Sequence, residues 1–205
     1  LPKDPMLTIK NSIIYNMSNI GLFAQGSKVY GENLLISNCG QYLIALNIGG
    51  DYDFKHCTFA NFWPFSRQTP SILLNNYYED FEGNIQNRDL INASFGNCII
   101  DGYNENELLF DKSNEASFNY SLNHCVIKST EEYWNDWEYE MFEGIMLLNN
   151  GQESQFIDYE INDFRLDSAS LAIDAGLQSI AIDVPYDING ILRTQNPDIG
   201  CFEME

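Results

Sequence analysis

A seven-residue block recurs along this 205-residue chain, and it restricts the fold more than any other feature. It first reads Lys10-Asn11-Ser12-Ile13-Ile14-Tyr15-Asn16, then Glu32-Asn33-Leu34-Leu35-Ile36-Ser37-Asn38. It returns as Lys55-His56-Cys57-Thr58-Phe59-Ala60-Asn61, as Gly96-Asn97-Cys98-Ile99-Ile100-Asp101-Gly102, and as Asn123-His124-Cys125-Val126-Ile127-Lys128-Ser129. The steps are 22, 23, 41 and 27 residues. Two steps match one turn of a solenoid, and the other two match one turn plus an insertion. The third and fifth positions are apolar or small, as in Leu34/Ile36, Cys57/Phe59 and Cys98/Ile100. Alternate residues of a strand face one way, so these pairs are expected to point inward.

A second apolar strand is expected after each block, at Ile20-Leu22-Ala24, Leu43-Ala45, Ile72-Leu74, Leu108-Phe110 and Ile145-Leu147. A third precedes each block, at Leu7-Ile9, Val29, Tyr52-Phe54, Ala93-Phe95 and Tyr120-Leu122. The runs are short, β-branched and broken by Asn and Gly, which argues against helices. A leucine-rich repeat shares the period but needs Leu at more fixed offsets than these copies carry. Stacked turns about 4.8 Å apart put equivalent residues into ladders. Asn11, Asn33 and Asn97 are expected to form a corner ladder, with His56 and His124 substituting, since Asn tolerates tight turns and bonds nearby backbone. Both histidines then read as ladder members and not as catalysts or metal ligands.

The five cysteines are Cys39, Cys57, Cys98, Cys125 and Cys201. Cys57, Cys98 and Cys125 share one inward block position, where they serve as small buried hydrophobes. No Cys-x-x-Cys pair suggests zinc, and in-register parallel strands give poor disulfide geometry. Free thiols are expected.

The pattern changes after Asn150. Asp163-Phe164-Arg165-Leu166 leads into Ser170-Leu171-Ala172-Ile173-Asp174-Ala175-Gly176. Then come Asp187-Ile188-Asn189-Gly190-Ile191-Leu192-Arg193 and Pro197-Asp198-Ile199-Gly200-Cys201-Phe202-Glu203. This order resembles the terminal segment of bacterial surface β-helix proteins of the choice-of-anchor Q family, which runs F-x-L-x-x-x-S-P-A-I-D-A-G, D-x-x-G-x-x-R and P-D-I-G-A-Y-E. The match spans about 40 residues; Leu171 and Leu192 replace prolines, and Cys201-Phe202 replaces Ala-Tyr. The resemblance implies a right-handed parallel β-helix, export and a Bacteroidetes-type source, and it implies no activity.

The expected architecture is all-β: a single-stranded right-handed parallel β-helix of about five coils with an irregular C-terminal cap. Residues 1–150 hold the coils, with insertions at 62–70, 76–89 and 129–143, and residues 151–205 form the cap of the same domain. The cap is expected to close an open solenoid end. Asp174, Asp187, Asp198 and Arg193 are expected to pair in it, and Gly176, Gly190 and Gly200 to supply positive φ. Asp183, Asp187 and Asn189 are spaced as a structural turn; the alternative is a calcium loop offering oxygens, although the full calcium-loop pattern is missing.

Thirty acidic residues face ten scattered basic ones, a net charge of −20, which argues against nucleic acid and other polyanions. Neutral glycans and divalent cations remain as ligand classes. No run of about 18 apolar residues spans a membrane. No basic and apolar leader pattern is read before the first repeat, and a mature product or a piece of a longer one is expected. Pectinase-type N-T-D, D-D and G-H-G motifs, D-P-H and G-x-S-x-G are all missing.

The insertions bring aromatics: Trp63 and Arg67 in one, Tyr133, Trp134 and Trp137 in another. Both leave the same corner, so these five residues are expected on one face as a binding site for a neutral glycan or a surface protein. The competing reading folds the rings back over the solenoid wall. The expectation is an exported, monomeric, non-catalytic surface module; the alternative is a polysaccharide-active enzyme with its site truncated or spread over loops.

Overall fold

The computed structural model describes residues 7–135, 141–149 and 154–204. The chain is all-β, and its main sheet is parallel, curled and solenoid-like, with twelve strands. Its first strands are β1 (Leu7–Tyr15), β2 (Leu22–Ser37), β3 (Ile44–Lys55) and β4 (Thr58–Asn61). Further along come β5 (Ile72–Asn75), β8 (Leu90–Gly96), β9 (Ile99–Gly102), β10 (Leu108–Asp111), β11 (Ser121–Asn123), β12 (Val126–Lys128), β13 (Phe142–Glu143) and β14 (Met146–Leu148).

Register divides these strands into three walls. In the first, Ile9 pairs with Gly31, Gly31 with Phe54, Phe54 with Phe95, Phe95 with Leu122, and Leu122 with Phe142. In the second, Ile14, Ile36, Phe59, Ile100, Ile127 and Leu147 stand in one row. In the third, Leu22, Ile44, Ile72 and Leu108 do the same. The block copies therefore stack in the predicted register. A sixth copy, Glu143-Gly144-Ile145-Met146-Leu147, continues the second wall, because Met146 pairs with Val126 and Leu147 with Ile127. The expectation for Ile145-Leu147 is corrected: it belongs to the block row and not to the third wall. Leu43 enters the core as expected, just before β3, but on the strand itself the core residues are Ile44 and Leu46 in place of Ala45.

The corner between the first and second walls carries one backbone conformation on every pass. Asn11, Asn33, His56, Asn97 and His124 have φ of 46°, 48°, 50°, 52° and 51°. Asn is the L-residue that enters this left-handed region most readily, and Gly144 takes the sixth position at φ 62°. Asn33 donates to Asn11 Oδ1 at 2.9 Å, and Asn97 Nδ2 lies 2.9 Å from His56 Nε2.

The walls enclose the core. Tyr52, Phe54, Phe59, Phe95, Leu34, Ile36, Ile44 and Ile72 are fully buried. Phe54 and Phe95 stack at 5.4 Å, and Phe59 meets both edge-on. Burial of each such side chain contributes roughly 1.5–3 kcal/mol. Cys57, Cys98 and Cys125 are buried in one row, since Ile99 and Val126 donate to the carbonyls of Cys57 and Cys98. All five cysteines are free and buried.

Of the insertions, 76–89 forms an antiparallel hairpin of β6 (Tyr77–Glu79) and β7 (Ile85–Asn87). The stretch 62–70 is an irregular loop. The stretch 129–143 begins with the short helix α1 (Glu131–Asn135), and its last two residues already belong to the first wall. Trp134 drops from α1 into the core and stacks on Phe142 at 4.4 Å, where it plugs the last described pass.

The C-terminal segment corrects the expectation of an end cap. It holds an antiparallel pair, β15 (Phe156–Asp158) with β16 (Asp163–Leu166), a 3-10 turn at Tyr159–Ile161, and the helix α2 (Gln178–Ala181). Its apolar residues Phe156, Phe164, Leu166, Ala172, Ile199 and Cys201 pack on Leu35, Ala60, Ile99, Val126 and Leu148. Those five lie on the outer face of the second wall, so the segment covers a flank. The physical reason is the block itself: its outward positions are apolar on successive passes and need a cover.

The cover reads the corner ladder. Leu177 N donates to Asn97 Oδ1 at 2.8 Å, Asn33 Nδ2 donates to Tyr186 O at 2.7 Å, and Arg193 Nη2 donates to Asn33 Oδ1 at 2.9 Å. Arg193 pairs with Glu203 and not with the three aspartates expected. Asp187 instead accepts from Asn189 N, Ile191 N and Glu203 N, and Asp198 from Asp174 N and Met204 N. Gly190 and Gly200 have positive φ, as expected, but Gly176 does not. Gly176 is required for space: a Cβ there would lie 2.8 Å from Pro197 O.

Candidate functional site

The described residues among those expected to form an exposed ligand face do not assemble one. Arg67 is buried and forms a bidentate pair with Glu107, at 2.5 and 2.9 Å, with side-chain exposures of 3% and 0%. Glu107 also accepts from Ser71 N, Ser71 Oγ and Asn104 N. This buried, fully bonded cluster ties loop 62–70 to the next pass. Trp134 is in the core and Tyr133 is half-buried beside it. Trp63 is half-buried with its ring 5.7 Å from that of Phe65. Trp137 lies outside the described residues.

The carboxylates of the candidate calcium loop are engaged by the chain itself. Asp183 is exposed and bonds Lys55 at 2.7 Å. Asp187 Oδ1 accepts from Asn189 N and Ile191 N within its own turn, and Oδ2 accepts from Glu203 N near the chain end. Among the described residues, no group of three or more His, Cys, Asp or Glu is placed to hold a metal. His56 is fully buried and neutral, since burial and the nearby Arg193 push its pKa well below the usual value. Its Nε2 accepts from Asn97, which places the ring proton on Nδ1.

Where the cover meets the second wall, a groove opens that none of these residues marks. Its floor is a trio of rings. Phe62 directly follows β4, and Tyr103 directly follows β9. Asn61 pairs with Gly102, so the two rings are neighbours on adjacent passes. Tyr159 comes from the cover and stacks on Phe62 at 4.0 Å, while Tyr103 stands edge-on to both at 5.2 and 6.0 Å. Two adjoining clefts share this trio. One, of about 210 Å³, adds Asp101, Gly102, Lys128, Leu148 and Ser154. The other, of about 340 Å³, adds Asn16, Asn38, Pro64, Glu160 and Asn162.

Asp101 is the electrostatically distinctive group. It sits on the outer face of the second wall, with Ala60 on the pass before and Lys128 on the pass after. Burial raises its carboxyl to about 6, against the lowering effects of the Gly102 N–H at 2.7 Å and of Lys128. A perturbed carboxyl in a cleft beside exposed aromatic faces has the make-up of a recognition site. Tyr103, 58% exposed, presents the most accessible ring of the trio.

Loop 62–70 brings Phe62 to this corner, a ring that is not among the residues expected there. Alignment of the copies offers a signal for two of the rings, since Phe62 and Tyr103 occupy the same position after consecutive blocks. Nothing in the repeats points to Tyr159, which comes from a segment with a different pattern. No helix among the described residues is long and apolar enough to cross a membrane. Neither protein-family models nor curated proteins give a match to this chain.

Proposed function

We propose that this chain is a right-handed parallel β-helix of about five coils, exported to a bacterial surface, that binds a neutral glycan in the Phe62–Tyr103–Tyr159 groove. The terminal pattern similar to choice-of-anchor Q proteins supports export and handedness. The observation that carries the binding reading is the ring trio flanked by hydrogen-bonding groups: Asp101, Lys128 and Ser154 at one end, Asn16, Glu160 and Asn162 at the other. Sugar rings present apolar C–H faces and a rim of hydroxyls, and such a groove offers partners to both. The net charge of −20 disfavours acidic polysaccharides.

Isothermal titration against a panel of neutral oligosaccharides tests this. At least one should bind, and Tyr103→Ala should weaken it by about tenfold or more, as loss of an aromatic anchor does. Tyr103 is exposed, so the melting temperature should hold. Absence of binding across the panel, or full binding by Tyr103→Ala, would overturn the reading.

One observation favours a second reading, a polysaccharide-active enzyme. A carboxyl raised to about 6 suits an acid–base role, and Glu160 lines the adjoining cleft. Release of reducing ends or unsaturated products from the bound glycan, lost in Asp101→Asn, would establish catalysis in place of simple binding.

A further inference from the structure

Asp101 is 5% exposed, and one of its two oxygens is provided for: Oδ1 accepts from Gly102 N. Among the described residues, no donor reaches Oδ2. A carboxylate oxygen with little access to water and no donor from the protein is costly unless something supplies one. The side chain lines the cleft beside Tyr103 and Tyr159, which is where a donor from outside has access.

The charged and titratable groups around it come from every neighbouring element. Lys128, on β12, favours the ionised form, and Glu107, before β10, opposes it. Glu107 is itself engaged by Arg67 and Ser71. Tyr103 follows β9 and Tyr159 belongs to the cover. Lys128 is the neighbour on the next pass, but its Nζ donates to Asn149 O at 3.1 Å. Its charge steadies Asp101 without occupying Oδ2.

We infer that Asp101 is the anchoring acceptor of the groove: its Oδ2 takes a hydrogen bond from a hydroxyl of a neutral saccharide, and it loses that charge-assisted bond when protonated. This rests on the reading of the groove as a glycan site and adds which atom selects the ligand. A ligand with a carboxylate or sulfate at that position is repelled, whereas a hydroxyl is accepted. A hydrogen bond to an ionised group is about twice as strong as a neutral one, so protonation weakens the contact while the ring stacking remains. Because the carboxyl titrates near pH 6, the change falls between mildly acidic and neutral conditions.

The experiment is titration calorimetry with cello-, xylo- and manno-oligosaccharides at about pH 7.5 and about pH 5, on the wild type, Asp101→Asn and Tyr103→Ala. The wild type should bind roughly tenfold more tightly at the higher pH, the scale of one charge-assisted hydrogen bond. Asp101→Asn should bind weakly at both, with the pH dependence gone. Tyr103→Ala should lose affinity by the same factor at each pH and keep the ratio. Melting curves at both pH values show that each protein is folded. Equal wild-type affinity at the two pH values, or undiminished binding by Asp101→Asn, overturns the role of Asp101 and leaves the groove standing. No binding of any oligosaccharide at about pH 7.5 removes the groove reading, and this inference falls with it.

Discussion

Two buried titratable residues make opposite demands on the fold as pH changes. His56 is held neutral, so its folded pKa is depressed below the unfolded value of about 6.5. Its contribution to stability is full above that value and is lost as pH falls, because only the unfolded chain gains the proton. One pH unit below, the loss reaches up to ~1.4 kcal/mol. His56→Asn keeps an amide in the ladder, as at Asn33 and Asn97. Its melting temperature should therefore fall less than that of the wild type between about pH 7.5 and about pH 5.5; an equal fall would mean that His56 is not held neutral. Asp101 runs the other way. Its folded pKa, about 6, lies above the ordinary carboxylate value, so ionising it weakens the fold as pH rises through that range. Asp101→Asn should be more stable than the wild type at about pH 7.5, by up to ~3 kcal/mol in urea titrations. The difference should vanish near pH 4. The residue proposed to hold the ligand is thus one that strains the empty protein, as expected where function overrides stability.

The cover is the element on which the groove depends, and it is fastened by buried charge. Arg193 and Glu203 are almost completely buried, and Arg193 also reaches Asn33 Oδ1 and Gly200 O. Burial pushes Glu203 up even with Arg193 beside it, so the pair is poised to fail when one member is lost. Removal of one partner leaves the other buried and uncompensated, at a cost of ~3–5 kcal/mol. Arg193→Ala should lower stability by that order and open the segment 154–204 to limited proteolysis before the parallel walls are cut. Simultaneous cleavage of walls and cover would show that the two form one cooperative unit. The loop clip at Arg67 and Glu107 follows the same physics. The sequence assigns Arg67 to a ligand face because its insertion leaves the same corner as the second aromatic insertion; the carboxyl that buries it lies 40 residues on.

For the whole molecule, two apolar surfaces must be kept from water: the interior and the outer face of the second wall. The interior holds four of the five cysteines, and the cover interface holds Cys201. Burial raises the thiol of Cys201 to about 12 and those of Cys98 and Cys125 well above the ordinary value, so they are unreactive in the native state. Intact-mass measurement after alkylation should show no label natively and five under denaturing, non-reducing conditions. Fewer than five would reveal a disulfide. A chain ended at residue 149 would re-expose Leu35, Ile99, Val126 and Leu148 on one face. It should aggregate or associate further than the full chain in sedimentation; identical sedimentation behaviour of the two would mean that the cover is dispensable.

What the sequence determined by itself is what repeats. Stacking in register makes residues some two dozen apart equivalent, so the inward Cys and Phe row, the Asn/His corner and the three walls were legible as periodic patterns. The sixth block was missed because its corner residue is Gly144, which meets the same backbone demand with no side chain to recognise. The tertiary structure alone decided where the aperiodic parts go. Trp134 turned inward onto Phe142, and the C-terminal segment turned sideways because the outer faces of Leu35, Ile99 and Val126 were apolar. The groove exists only where that segment lays Tyr159 on Phe62. Its position is set by the shape of two surfaces that meet, which no spacing within either one encodes.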